Sequence, residues 1–167
     1  MNNKRLGIGF IGGGFITRFH IQSLLAVRDV DVIGVMSKTL KSAEESEDLA
    51  NQIGVSNNAK AYKSITDMIA DPKINALWVC SPNFARIETF EEIANAISSG
   101  KGELIGVTCE KPLGRNFNEA KRVLELTKKV GLLDGYLENQ VFSPSIVRGK
   151  EIIWSRGAGT TGRPYLA

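Results

Sequence analysis

Leu6-Gly7-Ile8-Gly9-Phe10-Ile11-Gly12-Gly13-Gly14-Phe15-Ile16-Thr17 is the stretch on which the fold turns. An apolar run that leads into three glycines predicts a strand, Arg5–Gly12, and then a tight turn. A helix is predicted from about Phe15 to Val27. Ile16, Phe19, His20, Ser23, Leu24 and Val27 recur at helical spacing and are expected to form its inner face. Lys4-Arg5 ahead of an apolar run superficially resembles a signal peptide. However, Gly7, Gly9 and Gly12–Gly14 interrupt that run, and no small-residue cleavage site follows. A strand entering a glycine turn accounts for it better.

The alternation continues outward from this stretch. Further strands are predicted at Asp31–Met36, Ala59–Tyr62, Ile74–Cys80, Leu104–Cys109 and Leu132–Glu138. Between and after them fall helices at Ser42–Ile53, Ser64–Ala70, Arg86–Ser98, Phe117–Val130 and Pro144–Arg156. In the Arg86–Ser98 helix, Ile87, Phe90, Ile93, Ala94 and Ile97 are expected to face inward, and Gly100 stops it; Gly131 stops the next helix. Strands separated by helices imply parallel pairing, because parallel neighbours need a crossover. The predicted class is α/β: a doubly wound parallel sheet of about six strands with helices on both faces.

An apolar content of 43% and a charged content of 23% exclude a disordered or fibrous chain. The net charge of +3 is spread along the sequence. Lys128-Lys129, the densest basic pair of the second half, sits where it complements a helix dipole, so no nucleic-acid partner is expected. No stretch is long enough to span a membrane. Cys80 and Cys109 each end an apolar run, without a C-x-x-C or Cys/His cluster, so no metal site is expected. They read as buried, reduced thiols of a cytoplasmic protein.

Within this frame, Gly12-Gly13-Gly14-Phe15-Ile16-Thr17 is a G-x-G-x-x-T turn between the first strand and its helix, the arrangement of a Rossmann dinucleotide site. Gly12 permits the tight turn, and Gly14 lets a pyrophosphate approach the backbone. The helix start at Phe15 and Ile16 offers unpaired N–H groups and a positive dipole end. Thr17 takes the third small position, where helix and strand pack closely. No G-K-[ST] follows, which argues against a Walker-type phosphate loop. About twenty residues beyond the loop, where an acidic residue would bind an adenosine ribose, the chain reads Met36-Ser37-Lys38-Thr39. Ser37 is short and neutral, and Lys38 can neutralise a 2′-phosphate. NADP is therefore expected over NAD.

Gly12–His20, Ser81-Pro82-Asn83 after strand four, Glu110-Lys111-Pro112 after strand five and Asn139-Gln140-Val141-Phe142-Ser143-Pro144 after strand six together resemble the glucose–fructose oxidoreductase/inositol dehydrogenase (Gfo/Idh/MocA) family. The resemblance covers essentially the whole chain. It implies a cofactor domain, residues 1–157, with 158–167 as the turn into a C-terminal domain that supplies substrate contacts and the oligomer interface. It implies hydride transfer to or from a sugar- or polyol-like carbon, and a homo-oligomer at full length. It also implies that the 167 residues alone bind cofactor without turnover. By resemblance Lys111 would lie near the nicotinamide and orient or polarise the reacting oxygen. Glu110 would contact the nicotinamide ribose region, Ser81, Pro82 and Asn83 would line the cofactor cleft, and Asn139 would join the cofactor contacts. Two positions depart from the family pattern: Arg86 stands where a His is frequent, and Val141 where the N-x-R-F-x-P segment has Arg. His20, which matches a recurring family histidine, is expected to be structural, packed against the sheet away from the reacting centre. Trp78 and Trp154 are expected to be packing residues. The alternative function is a dinucleotide-sensing module without catalysis. A methyltransferase-like Rossmann domain is disfavoured by Glu110-Lys111-Pro112.

Overall fold

The computed structural model describes residues 5–157 and residue 162. Six strands form one sheet: β1 (Leu6–Ile11), β2 (Val30–Met36), β3 (Lys60–Tyr62), β4 (Ala76–Val79), β5 (Gly106–Glu110) and β6 (Leu133–Leu137). Their spatial order is β3-β2-β1-β4-β5-β6. The registers of β1 with β2 and β4, of β2 with β3, and of β4 with β5 are all parallel. The order reverses between β1 and β4, which opens a crevice at the carboxyl ends of the strands. The doubly wound sheet expected from the alternation is the architecture found.

The helices are α1 (Phe15–Ser23), α2 (Leu40–Gln52), α3 (Ile65–Ile69), α4 (Arg86–Ser98), α5 (Phe117–Lys129) and α6 (Pro144–Glu151). They divide the core in two. On one face, Ile8 and Phe10 of β1 and Val32 and Val35 of β2 pack with Ile21 of α1 and Ala43 and Ala50 of α2. On the other, Ile11, Leu77, Val79 and Val107 pack with α3, α4 and α5 through Met68, Phe90, Ile93, Val123 and Leu126. A register shift between Ile8 and Gly9 explains how Val32 and Val35, three apart, reach the same face. The extra β2 residue resets the side-chain alternation.

The predicted inner face of α1 is corrected. Thr17, Ile21 and Leu24 are buried, whereas Phe19 and Val27 are about half exposed and Ser23 is exposed. The Thr17 hydroxyl donates to the Gly12 carbonyl at 2.6 Å, which fixes the rotation of the helix. Ile21 and Leu24 then fall four and seven residues further along the same stripe. The helix also ends earlier than expected, at Ser23, and a 3₁₀ turn over Leu24–Ala26 shifts the helical phase before Val27.

The chain divides into two compact units, Met1–Tyr136 and Leu137–Ala167. In the second, a 3₁₀ turn at Asn139–Phe142 leads to α6, with Pro144 at its first position, and wider π-type turns continue over Ile152–Gly157. Trp154 there is half exposed, unlike the packing residue expected. The expected turn into a further domain at 158–167 lies outside the described residues, apart from Gly162. Among the described residues, no helix is long and apolar enough to cross a membrane.

Candidate dinucleotide site

The carboxyl ends of β1, β2, β4 and β5 bring together residues 12–17, 37–38, 81–86 and 110–112. Gly12 extends β1 by donating its N–H to the Met36 carbonyl at 2.7 Å. Its φ of +106° is one that side-chain-bearing residues rarely adopt, and a Cβ there would lie 2.9 Å from the Cys80 carbonyl carbon. Gly13 is held from the α2 side. Its carbonyl accepts from the Ser42 hydroxyl at 2.7 Å, the Ser46 hydroxyl at 3.1 Å and Arg18 Nη1 at 3.2 Å. A Cβ at Gly13 would collide with the Ser42 backbone carbonyl.

Gly14 differs from both. It is the N-cap of α1 in extended backbone, φ −82° and ψ −169°, and a Cβ would meet nothing within 4 Å. No side chain caps α1, nor α4 or α6, whereas Thr39, Ser64 and Asn116 cap α2, α3 and α5. The orphan N–H groups of the first α1 turn, at Phe15 and Ile16, therefore border open space at Gly14. No acidic residue occupies that turn. An anion fits there sterically and electrostatically.

Ser37 is half-buried, and its hydroxyl accepts from the Gly13 N–H at 3.2 Å. Lys38 is exposed. Across the sheet, Ser81 is buried, Pro82 is exposed and Asn83 begins a 3₁₀ turn leading into α4. Asn139 lies in the second unit, at the start of its 3₁₀ turn.

Glu110 and Lys111 point in different directions. Glu110 is only 7% exposed. Its Oε1 is 2.7 Å from His20 Nε2, and its Oε2 accepts the Lys111 N–H at 3.1 Å. Lys111 itself is exposed. Its peptide bond to Pro112 is cis. The expectation that His20 packs away from the site is corrected. Its ring lies against Trp78 at 4.7 Å, tilted by 32°, and Trp78 stacks on Phe10 at 5.2 Å, so the packing expected of Trp78 is found. The position of His20 on α1 also carries its Nε2 to the carboxyl end of β5.

Arg86, which the sequence marked only as a departure from the family pattern, braces this edge. At 2% exposure its guanidinium lies behind both loops. Nε and Nη2 donate to the Ser81 carbonyl, and Nη2 also donates to that of Lys111, all at 3.4 Å. The available signal was an arginine four residues before Phe90, on the inward stripe of α4. Arg86 and Glu110 act oppositely on the free thiols nearby. Burial pushes Cys80 up to about 12; a Thr17 hydrogen bond opposes this, Glu110 adds to it and Arg86 also opposes it. Burial likewise raises Cys109, against the pull of Arg86.

The family model described as "Oxidoreductase family, NAD-binding Rossmann fold" matches residues 6–135. The myo-inositol 2-dehydrogenase of Thermotoga maritima is 30% identical over 161 residues, which is 95% of this chain and 43% of the relative. The levoglucosan dehydrogenase of Pseudarthrobacter phenanthrenivorans is 26% identical over 157 residues, covering 90% and 37% of the two chains. This chain thus spans less than half the length of these curated relatives. Among solved structures, a probable dehydrogenase from Thermotoga maritima superposes with a TM-score of 0.70 at 28% identity, covering 95% of this chain and 43% of that one. GenD2 from gentamicin A biosynthesis, solved with NAD, superposes with a TM-score of 0.75 at 24% identity over 93% and 40% of the two chains, a likeness of fold. With its strand order, its open glycine turn and the match over residues 6–135, this chain belongs to the Gfo/Idh/MocA oxidoreductase family and carries that family's NAD(P)-binding Rossmann domain.

Proposed function

We propose that this chain is the cofactor half of an oxidoreductase that moves a hydride to or from a sugar- or polyol-like carbon, with NADP preferred over NAD. The observation that carries the reading is the uncapped start of α1 at Gly14, opening on the same strand edge as Lys111. The dinucleotide, when bound, supplies or accepts the hydride. The chain's own part is to hold and orient it. The Phe15 and Ile16 N–H groups and the helix dipole bind the pyrophosphate, Gly14 leaves room for it, and Ser81, Pro82 and Asn83 border the nicotinamide side. Lys111, exposed and cationic, orients the reacting oxygen and steadies its negative charge.

The relatives' additional length leaves room for a substrate-binding part, and the reading places the substrate pocket and the oligomer contacts there. A reducing, cytoplasmic setting suits the buried free thiols Cys80 and Cys109. A second reading, dinucleotide sensing without catalysis, draws support from Glu110, whose carboxylate is engaged inside the protein.

Lys38→Ala tests the cofactor preference. An exposed lysine–phosphate contact contributes about 1–2 kcal/mol after screening, so NADPH affinity should fall about five- to thirtyfold while NADH affinity stays put. Equal losses for both cofactors would remove the NADP assignment.

A further inference from the structure

Both peptide groups of Lys111 are gripped by side chains. Its N–H is held by Glu110 Oε2, and its carbonyl by Arg86 Nη2. Glu110 is itself held at its other oxygen by His20, and the His20 and Glu110 side chains are only 12% and 10% exposed. His20 stands on α1, the helix whose start faces the pyrophosphate site, and is braced from behind by Trp78. A continuous path therefore runs from the glycine turn along α1 through His20 and Glu110 to the Lys111 backbone.

We propose that His20 is a positioning residue that locks the Lys111 loop to α1, so that seating a dinucleotide on the glycine turn also sets Lys111. The second half of this proposal rests on the cofactor reading. Its first half stands on the His20–Glu110–Lys111 hydrogen bonds. The physical reason is stiffness. A helix moves nearly as one body, so an adjustment of α1 at Gly14 must shift His20 nearly two turns on. Glu110 cannot turn to solvent instead, because it is buried and its two oxygens already have partners. Linkage requires the effect to be mutual, so an ordered Lys111 loop must favour dinucleotide binding in turn.

The test is amide hydrogen exchange at Lys111, read by NMR on the full 167-residue chain with and without NADPH or NADH. His20→Phe keeps a ring over Trp78 and removes the contact to Glu110. His20→Gln keeps a donor near the position of Nε2. Without cofactor, Lys111 should exchange at least about tenfold faster in His20→Phe than in the wild type, and His20→Gln should recover to within about threefold. The core amide of Val35 should not change. Added dinucleotide should slow Lys111 exchange in the wild type and in His20→Gln, and not in His20→Phe. If His20→Phe does not fold, His20→Asn, polar but too short to span to Glu110, reads the same contrast. Equal Lys111 exchange in all variants would overturn the proposal. So would equal acceleration in His20→Phe and His20→Gln, or a matching loss of protection at Val35, since each signals general loosening. If the wild type binds neither dinucleotide, the cofactor reading fails and takes the coupling with it. The cofactor-free comparison still decides whether His20 holds Lys111.

Discussion

Gly14→Val separates the needs of the fold from the needs of the ligand. At φ −82° and ψ −169° the Gly14 backbone is open to any residue, and an added Cβ meets nothing within 4 Å. Two small terms remain for stability. Valine is a poorer N-cap than glycine, at a cost of several tenths to about 1 kcal/mol. The unfolded chain loses freedom when glycine is replaced, which returns about 0.4–1 kcal/mol. The net change should stay within about 1 kcal/mol, or a melting shift below about 4 °C for a chain of this size. The ligand is affected very differently. Each backbone N–H bond to a charged phosphate oxygen contributes about 1.5–3 kcal/mol, and an isopropyl group over the α1 start denies at least two of them. A loss of about 3–6 kcal/mol corresponds to a factor of about 10² to 10⁴ in Kd. Gly12→Ala is the contrasting control. There the φ of +106° and the Cys80 backbone make the substitution destabilising by about 1–3 kcal/mol before any ligand is added. Thermal melts monitored by circular dichroism, together with NADPH fluorescence titrations, measure both quantities. A folded Gly14→Val protein that binds NADPH within threefold of the wild type would show that the pyrophosphate does not lie on this turn.

Arg86→Gln should lower stability by about 2–3 kcal/mol in urea unfolding, because a shorter neutral side chain cannot donate to both the Ser81 and Lys111 carbonyls; an unchanged midpoint would show that Arg86 does not brace the loops. Asp71 governs part of the acid sensitivity. Burial would raise its carboxyl, but the Lys73 N–H, the Tyr62 hydroxyl at 2.7 Å and the charges of Lys60 and Lys73 outweigh this and hold it below the ordinary value. A carboxylate lowered on folding stabilises the protein above its unfolded pKa of about 4, and that share is lost as pH falls through the lower folded value. Asp71→Asn should therefore be destabilising at pH 7 and progressively less so below pH ~4, with parallel pH profiles of the two proteins as the refuting result.

What was legible in the sequence is what the backbone dictates locally. A left-handed turn demands glycine at 12, and a parallel sheet demands a crossover helix, so the turn and the order of elements could be read from spacing alone. The rotation of α1 could not. Phe19 and Val27 carry the apolar signal, yet the Thr17 hydroxyl bond to Gly12 decides which stripe turns inward. The loops hide contacts of a second kind. An acidic residue just after a strand reads as a group offered to a ligand, whereas the His20 contact, 90 residues away in sequence, turns Glu110 into the protein. Contacts between distant residues leave no periodic trace. Gly13 has the same character: it sits at the free position of G-x-G, but the Ser42 carbonyl of another helix leaves no room for a side chain.

Arg86 shows the consequence for function. Compared with the family pattern it is a substitution, and a missing histidine suggests a lost contact. In place, its guanidinium joins the carbonyls of Ser81 and Lys111 and so ties the loop after β4 to the loop after β5. A histidine has two ring nitrogens and at most two donors, whereas a guanidinium offers five in a rigid fork. The departure therefore brings a brace of its own, one side chain that reaches the carbonyls of both loops. With His20 holding Glu110 from one side and Arg86 holding Lys111 from the other, the free part of this loop is the lysine side chain itself. That is the part to which the proposed function assigns the reacting oxygen.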